Sequence, residues 1–338
     1  MEIFKRETRV DFIGKRRISM TVSMLLNLAT LAALVIFGLN FGLDFTGGTL
    51  VELNYTQPAD VTEVRKALVD KGFGDAVVQR FGTARDLMVR LPVRGDEGKG
   101  AAVVSAKLVE TLRAALDERE VESRPGQAQK CLGRDSKAPP AACQVQVKRV
   151  EFVGPQVGRE LAEKGALALI FAAIGILIYV IVRFEWRFAV GAIAATAHDV
   201  FLVFGFFAFT QMEFSLSVLA AILAVLGYSL NDTVVVFDRI RENFRKMRKS
   251  TVPEIMNASL NQTLSRTIIT SGTTLLTMLA LFFYGGEILR GFSAAMLVGI
   301  AVGTYSSIFI ATPVTLALGI TREDMLPVKK EGAADTTP

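Results

Sequence analysis

Six stretches of this chain are apolar enough and long enough to cross a bilayer, and that decides most of what it can become. They cover residues 18–39 and about 162–182, 188–210, 214–237, 267–284 and 291–318. Roughly 20 apolar residues span the hydrocarbon layer as a helix. Inside lipid, only helices and closed barrels satisfy every backbone polar group. The expected fold is a polytopic α-helical membrane protein with six transmembrane helices. Composition agrees: 51% of the 338 residues are hydrophobic and the mean hydropathy is +0.40, more apolar than a soluble domain of this size.

The charges lie between these runs. Net charge is +5, but Lys and Arg collect at the ends of the apolar segments, which argues against nucleic acid as a partner. Residues 1–17 carry Lys5, Arg6, Arg9, Lys15, Arg16 and Arg17. Arg183 and Arg187 lie between the second and third runs. Arg239, Arg241, Arg245, Lys246, Arg248 and Lys249 follow the fourth, and Arg322, Lys329 and Lys330 follow the sixth. The alternate loops carry no basic residue (211–213) or one, Arg290. By the positive-inside rule, the expected topology has a cytoplasmic N-terminus (1–17), helix 1 at 18–39, a periplasmic domain at 40–155, helices 2–6 within 156–318 and a cytoplasmic tail at 319–338. No small-x-small cleavage site follows the first run, so it reads as an uncleaved helix.

Residues 40–155 are polar and periodic. Alternation at 49–55, 76–81, 87–91 and 144–152 predicts strands. Helical spacing at 60–70 and 101–116 predicts two helices. The order β-α-β-β-α-β is that of a ferredoxin-like α+β domain between helices 1 and 2. Residues 119–142 read as a loop inserted before the last strand. Cys131 and Cys143 bracket its end. In an oxidising compartment they are a candidate disulfide, or else two free thiols. The only histidine is His198, so no zinc site is expected.

The loop after the fourth run carries Thr251-Val-Pro-Glu254, a capping box with an early proline. Ile255, Met256, Leu260 and Leu264 then recur on one face. The expectation is a short amphipathic helix lying along the inner surface, either a docking element or a connector packed on the bundle.

Chemistry is sought where polar groups enter the apolar runs. Asp232 lies inside the fourth run, between Asn231 and Thr233. A carboxylate there costs roughly 2.5–3.5 kcal/mol on insertion scales, which makes it a candidate for an ion path. The plainer reading is a hydrogen bond to a neighbouring helix. Asp238, at the end of the run, reads as interfacial. His198-Asp199 lies in the third run, and His198 suits packing or proton relay equally. Arg266 begins the fifth, followed by a stripe of Thr267, Thr270, Ser271, Thr274 and Thr277. Such stripes often only join helices. It is the three charges on three helices, Asp199, Asp232 and Arg266, that suggest a proton-responsive switch, with Arg266 the expected partner of Asp232. The proton-pathway candidates are Asp232, Arg266, Asp199, His198, Asn231 and Thr270. Gly299 and Gly303 form a G-x-x-x-G packing motif. There is no phosphate-binding loop, nucleophile elbow or metalloprotease motif. Neither an enzyme nor a cofactor is expected.

Five markers carry a family resemblance: Gly42-Leu-Asp-Phe-Thr-Gly-Gly48, Val153-Gly-Pro-Gln-Val-Gly158, His198-Asp199, Gly227-Tyr-Ser-Leu-Asn-Asp-Thr233 running into Val236-Phe-Asp-Arg-Ile-Arg-Glu242, and Leu264-Ser-Arg-Thr267. Over about residues 10–320 the chain resembles the SecF subunits of the bacterial Sec protein-export machinery. The Asp-Phe-Thr-Gly-Gly spelling is closer to SecF than to its sister SecD. The resemblance implies half of an RND-like twelve-helix bundle completed by SecD. It further implies work with the SecYEG channel and YajC at the inner membrane. There the proton-motive force would help draw exported unfolded polypeptide out on the periplasmic side. The residues matching the family's proton-transport pair are Asp232 and Arg266. The segment bearing Cys131 and Cys143 lies outside the family pattern. Two other readings remain: half of an RND-type proton-coupled small-molecule exporter, and a passive scaffold of the channel. One modest exterior domain speaks against the first, the intramembrane charges against the second.

Overall fold

The structure, a computed structural model, describes residues 8–92, 101–122, 128–133 and 139–321. The chain divides into two compact units, Met1–Asn40 with Ala168–Pro338, and Phe41–Leu167. In chain order the elements are α1 (Arg16–Phe37), α2 (Leu43–Thr46), β1 (Gly48–Tyr55), α3 (Val61–Val69), β2 (Val77–Arg80), β3 (Asp86–Leu91), α4 (Ala101–Ala115), β4 (Glu118–Glu122), β5 (Lys130–Gly133), β6 (Ala141–Ala142) and β7 (Val145–Val153). There follow α5 (Pro155–Arg183), α6 (Trp186–Thr210), α7 (Leu216–Lys246), α8 (Val252–Tyr284), α9 (Gly286–Ser306), a π-helical turn (Ser307–Ala311) and α10 (Thr312–Ala317).

The smaller unit is the expected ferredoxin-like domain. Its sheet has the order β2-β3-β1-β7, and every neighbouring pair is antiparallel. β3 lies between the two strands that α3 connects, which is the split βαβ arrangement. Alternation buries Val51, Leu53 and Tyr55 of β1 with Leu87, Val89 and Leu91 of β3, beneath Val64 and Leu68 of α3 and Leu108 and Leu112 of α4. At the start of β1 the glycine pair has a steric cause. Gly47 and Gly48 have φ of 68° and 129°, and a Cβ on Gly48 would lie 2.3 Å from the Leu91 carbonyl oxygen. A Cβ on Gly158 would meet the Gly47 amide nitrogen at 3.0 Å. Two of the sequence markers therefore pack against each other.

Residues 119–142 were expected as a loop. Their described part instead forms a second sheet, β4-β5-β6. The strands are short and polar, so alternation could not reveal them. Arg113, almost fully buried in α4, fastens this sheet to the main one. It donates to the Val145 carbonyl at 3.2–3.3 Å, to Gln129 and to Glu120. Cys131 and Cys143 are joined by a disulfide, and both are buried. Replacing both by Ala should cost about 3 kcal/mol, the entropy of reopening so short a loop. The loss should appear as faster amide exchange in β4 and β5, with β1 unchanged.

Asp86 opens β3. Burial opposes its charge, but hydrogen bonds from Lys148 (2.8 Å), Thr83 and Asn54 (2.7 Å) outweigh burial. They hold its carboxyl well below the usual carboxylate range. Its stabilising contribution is complete above the unfolded pKa of about 3.9. It is lost as pH falls through the lower folded value. Asp86→Asn should cost about 2 kcal/mol at neutral pH and flatten the acid limb of the stability curve. Hydrogen exchange of β1 and β3 between neutral pH and pH ~3, corrected for intrinsic rates, checks this.

Among the described residues, six helices are long and apolar enough to cross a membrane. The apolar windows of α6, α7 and the last span are at least half buried, while those of α1, α5 and α8 are mostly exposed. The centre is therefore α6–α7–α9. Phe184, Phe188 and Phe237 interlock there with centroids 4.7–6.1 Å apart. Asp238, expected at the interface, pairs with Arg183 at 2.6 Å.

The short helix expected at the inner surface is not separate. α8 runs unbroken over 33 residues, about 50 Å, well beyond the ~30 Å hydrocarbon layer. The capping box sets its start: Glu254 accepts from the Thr251 amide at 2.8 Å. No glycine or proline then interrupts it before Gly272. Its early apolar face, Ile255, Met256 and Leu260, is buried in the bundle core. Its polar face holds the segment before α1: Asn257 accepts from the Phe12 amide at 2.8 Å and Asn261 from the Val10 amide at 2.9 Å.

Candidate functional site

Two carboxyl groups are buried at the centre of the bundle. Asp232 comes from α7, which is helical throughout despite its polar Ser-Leu-Asn-Asp-Thr stretch. Its Oδ1 accepts from Thr267 of α8 at 2.7 Å and its Oδ2 from Ser307 of the π-helical turn at 2.6 Å. Asp199 comes from α6 and is 1% exposed. Its Oδ2 accepts from Ser229 of α7 at 2.5 Å and from Ser306 of α9 at 2.7 Å. Its Oδ1 lies 3.1 Å from His198 Nδ1.

The two groups are neighbours. Ser229 and Asp232 are three residues apart on α7, so they share a face about one turn apart. Ser306 and Ser307 are adjacent on the last span. Gly303 makes room: a Cβ there would lie 3.1 Å from Ser229 Cβ and 3.5 Å from Asp199 Oδ2. Gly299, one turn earlier, faces Val225 in the same way, so the G-x-x-x-G motif is the contact line between α9 and α7. Thr304 and Ser271 add a further bond of 2.7 Å between α9 and α8.

The sequence candidates divide. Asp232, Asp199 and His198 are buried and belong to this cluster. His198 Nε2 is buried with no hydrogen-bond partner among the described residues. Asn231, Arg266 and Thr270 are exposed. The expected Asp232–Arg266 pairing is replaced by hydroxyl contacts. Arg266 precedes Thr267, and one residue is a 100° turn of the helix, so Thr267 makes the direct contact with Asp232 while Arg266, on the exposed side of α8, reaches it only through its charge. Asn231 is turned from the site for the same reason. The Thr270 hydroxyl is satisfied on its own helix, by the Arg266 carbonyl at 2.9 Å and the Thr267 carbonyl at 3.1 Å. Of the stripe, Thr267 and Ser271 face inward, and Thr274 meets Tyr228 at 3.4 Å.

Ser229, Ser306, Ser307 and Tyr305 were not among the candidates. A serine inside an apolar run ordinarily bonds its own helix, and the π-helical turn has no local signature. The arrangement has a chemical consequence. A hydroxyl can donate to a carboxylate or, by rotating, accept from a carboxylic acid. Either protonation state of each carboxyl can thus be hydrogen-bonded without moving the backbone. Among the described residues no group of three or more His, Cys, Asp or Glu is placed to hold a metal ion.

Comparison with known proteins gives three findings. The family described as "Protein export membrane protein SecD/SecF, C-terminal" matches residues 136–321, and "SecD/SecF GG Motif" matches residues 32–59. The chain is 47% identical over 334 residues to "Protein translocase subunit SecF" of Vibrio alginolyticus, covering 98% of each. It is 46% identical over 330 residues to the protein of that name from Pseudomonas aeruginosa, covering 97% of this chain and 98% of that one. Among solved structures it is similar to SecDF, a translocon-associated membrane protein from Thermus thermophilus, with TM-score 0.76 and 36% identity. That match covers 94% of this chain and 39% of the SecDF chain, so this chain spans about two-fifths of it.

Proposed function

Since the chain belongs to the SecF family of protein translocase subunits, we propose that it is a proton-motive-force-dependent accessory subunit of the Sec preprotein translocase. It acts with SecD to promote the late stage of export across the inner membrane. Its partners are SecD, the SecYEG channel, YajC, the exported unfolded polypeptide and protons. Both termini are cytoplasmic and residues 40–155 are periplasmic, a reading supported by the loop charges.

The observation that carries this reading is the pair of buried carboxyls held by hydroxyls from α8 and from the last span. A purely structural hydrogen bond needs no charged group in hydrocarbon, and a carboxyl there is costly. A proton carrier needs one, in surroundings that tolerate both protonation states. Partnership with SecD is supported by the outer face of α8. Arg266, Thr270, Thr273 and Thr277 are exposed along it, within a span that would otherwise face lipid. Such a face fits helices of a second chain, as does the larger SecDF chain.

The test is export of a labelled preprotein into inverted inner-membrane vesicles, with and without this chain and with and without a proton ionophore. The expected result is a gradient-dependent increment that needs the chain and that the ionophore removes. An increment of equal size in vesicles lacking the chain overturns the reading. Protease added to spheroplasts should cut within residues 40–155. Cleavage only in inverted vesicles reverses the topology.

A further inference from the structure

The last turns of α7 carry charge past its apolar run. α7 has 31 residues, about 46 Å of helix, against a hydrocarbon layer of ~30 Å. Its final turns, from Asp238 on, therefore stand at the membrane surface. Trp186, exposed three residues beyond Arg183, suits the same level, where amphipathic rings collect. Here Arg183 of α5 and Asp238, Arg241, Glu242, Arg245 and Lys246 of α7 line an open cleft of about 370 Å³. Both carboxylates in it are taken. Asp238 accepts from Arg183 at 2.6 Å. Glu242 accepts from Lys246 at 2.5 Å and from Arg239, outside the cleft, at 2.8 Å. Arg241 and Arg245 have neither an acidic nor a hydrogen-bonded partner among the described residues. They are four residues apart on α7, so they rise from one face with Cβ atoms about 5–6 Å apart. The positive-inside rule asks only for basic residues near the end of a span. It does not ask that two arginines of one face stay unpaired in a cleft that already holds two acids. On the membrane side of the cleft the surface turns apolar. Tyr179, one turn before Arg183 on the same face of α5, is exposed, as are Ile178 and Val182.

We propose that this cleft binds the phosphate of an anionic phospholipid, gripped by Arg241 and Arg245, with an acyl chain lying along the outer face of α5. The proposal goes beyond the export reading and needs only that α5 and α7 cross a bilayer. A guanidinium presents a planar fork that meets two phosphate oxygens at once. Two forks one helical turn apart can close on one phosphate. Basic pockets between spans at the membrane surface hold headgroups of this kind. The acids do not repel the ligand strongly, because Arg183 and Lys246 already balance them. The charge left over is that of the two arginines, and a phosphodiester brings one negative charge to it. A free phosphate would find the same forks but would leave the apolar strip of α5 unused, which is why a lipid is the better fit.

The full chain, purified in detergent, is titrated with phosphatidylglycerol and separately with phosphatidylcholine. Bound lipid is counted by native mass spectrometry. The wild type should prefer phosphatidylglycerol. Arg241→Gln combined with Arg245→Gln should weaken that lipid by about fivefold for each arginine removed and leave phosphatidylcholine unchanged. Lysine at both positions keeps the charge without the fork and should recover part of the affinity. Arg248→Gln with Lys249→Gln removes as much charge close by, outside the cleft, and should change little. An unchanged affinity in the Arg241 and Arg245 variant overturns the site. An equal loss in the Arg248 and Lys249 variant also overturns it, since binding then follows surface charge alone. No recovery by lysine overturns the electrostatic grip. Inorganic phosphate in large excess should not displace the lipid. Displacement would assign the cleft to a soluble anion and overturn the lipid as its occupant. None of these outcomes depends on export, so the site and the export reading stand or fall separately.

Discussion

Asp232→Asn is expected to abolish the gradient-dependent part of export while leaving the protein folded and assembled. The amide has the size of the carboxyl. Its oxygen can still accept from Thr267 or Ser307, and its NH2 can donate to the other hydroxyl, which turns to accept. The structural cost should be about 1 kcal/mol, the worth of one neutral hydrogen bond. The lost capacity is different in kind. One charge moved through the membrane potential yields roughly 2.3 kcal/mol per 100 mV, enough to bias two bundle states that differ by a few kcal/mol. Asn cannot carry that charge. In inverted vesicles, the increment that the ionophore removes should therefore vanish, and basal export should remain. Thermal unfolding of the purified protein should shift little. If the variant keeps an ionophore-sensitive increment, the proton path does not pass through Asp232 and its role is that of a helix-joining hydrogen bond.

Legibility in the sequence followed chemical cost. Asp199, His198 and Asp232 stood out because ionisable groups are expensive in an apolar run, and all three lie in the buried cluster. The ferredoxin-like domain was legible because its strands alternate and its helices have a clear period, and the sheet order follows. Ser229, Ser306 and Ser307 were silent, since serine is cheap in a helix and its partner is set by tertiary contact. Arg266 was assigned to Asp232 by charge and by the family resemblance; the structure shows no ion pair between them among the described residues, although the charge of Arg266 still reaches Asp232. A side chain's direction around a helix changes by 100° with each residue, and Thr267, not Arg266, has the matching direction. The separate inner-surface helix failed for a related reason. Amphipathic and apolar stretches were read as two elements, although nothing between Leu264 and Thr267 breaks a helix. The β4–β6 sheet was missed because it is held by Arg113 and a disulfide, neither of which leaves a periodic trace.

Gly299→Val is expected to remove gradient-dependent export by a different route. A Cβ on Gly299 would lie 2.2 Å from Val225 Cγ2 and 3.0 Å from Val225 Cβ. Val225 is 1% exposed, and a β-branched side chain in a helix has essentially one rotamer. It cannot step aside, so α7 and α9 must part. Overpacking of this kind costs about 1–3 kcal/mol, and a full valine belongs at the upper end. The separation would reach the carboxyls one turn on, where Gly303 lies against Ser229 and Asp199. Parting the helices lengthens the Ser307–Asp232 bond and draws apart Ser229 and Ser306, which share Asp199 Oδ2. The expected result is a lower unfolding midpoint in detergent and loss of the ionophore-sensitive increment. Adding Val225→Ala should restore most of both, because it removes the atoms that clash. Contacting residues show interaction energies of about 0.5–3 kcal/mol in such a double-mutant cycle. Additive effects with no rescue would mean that the close approach of α7 and α9 does not hold the two carboxyls in place.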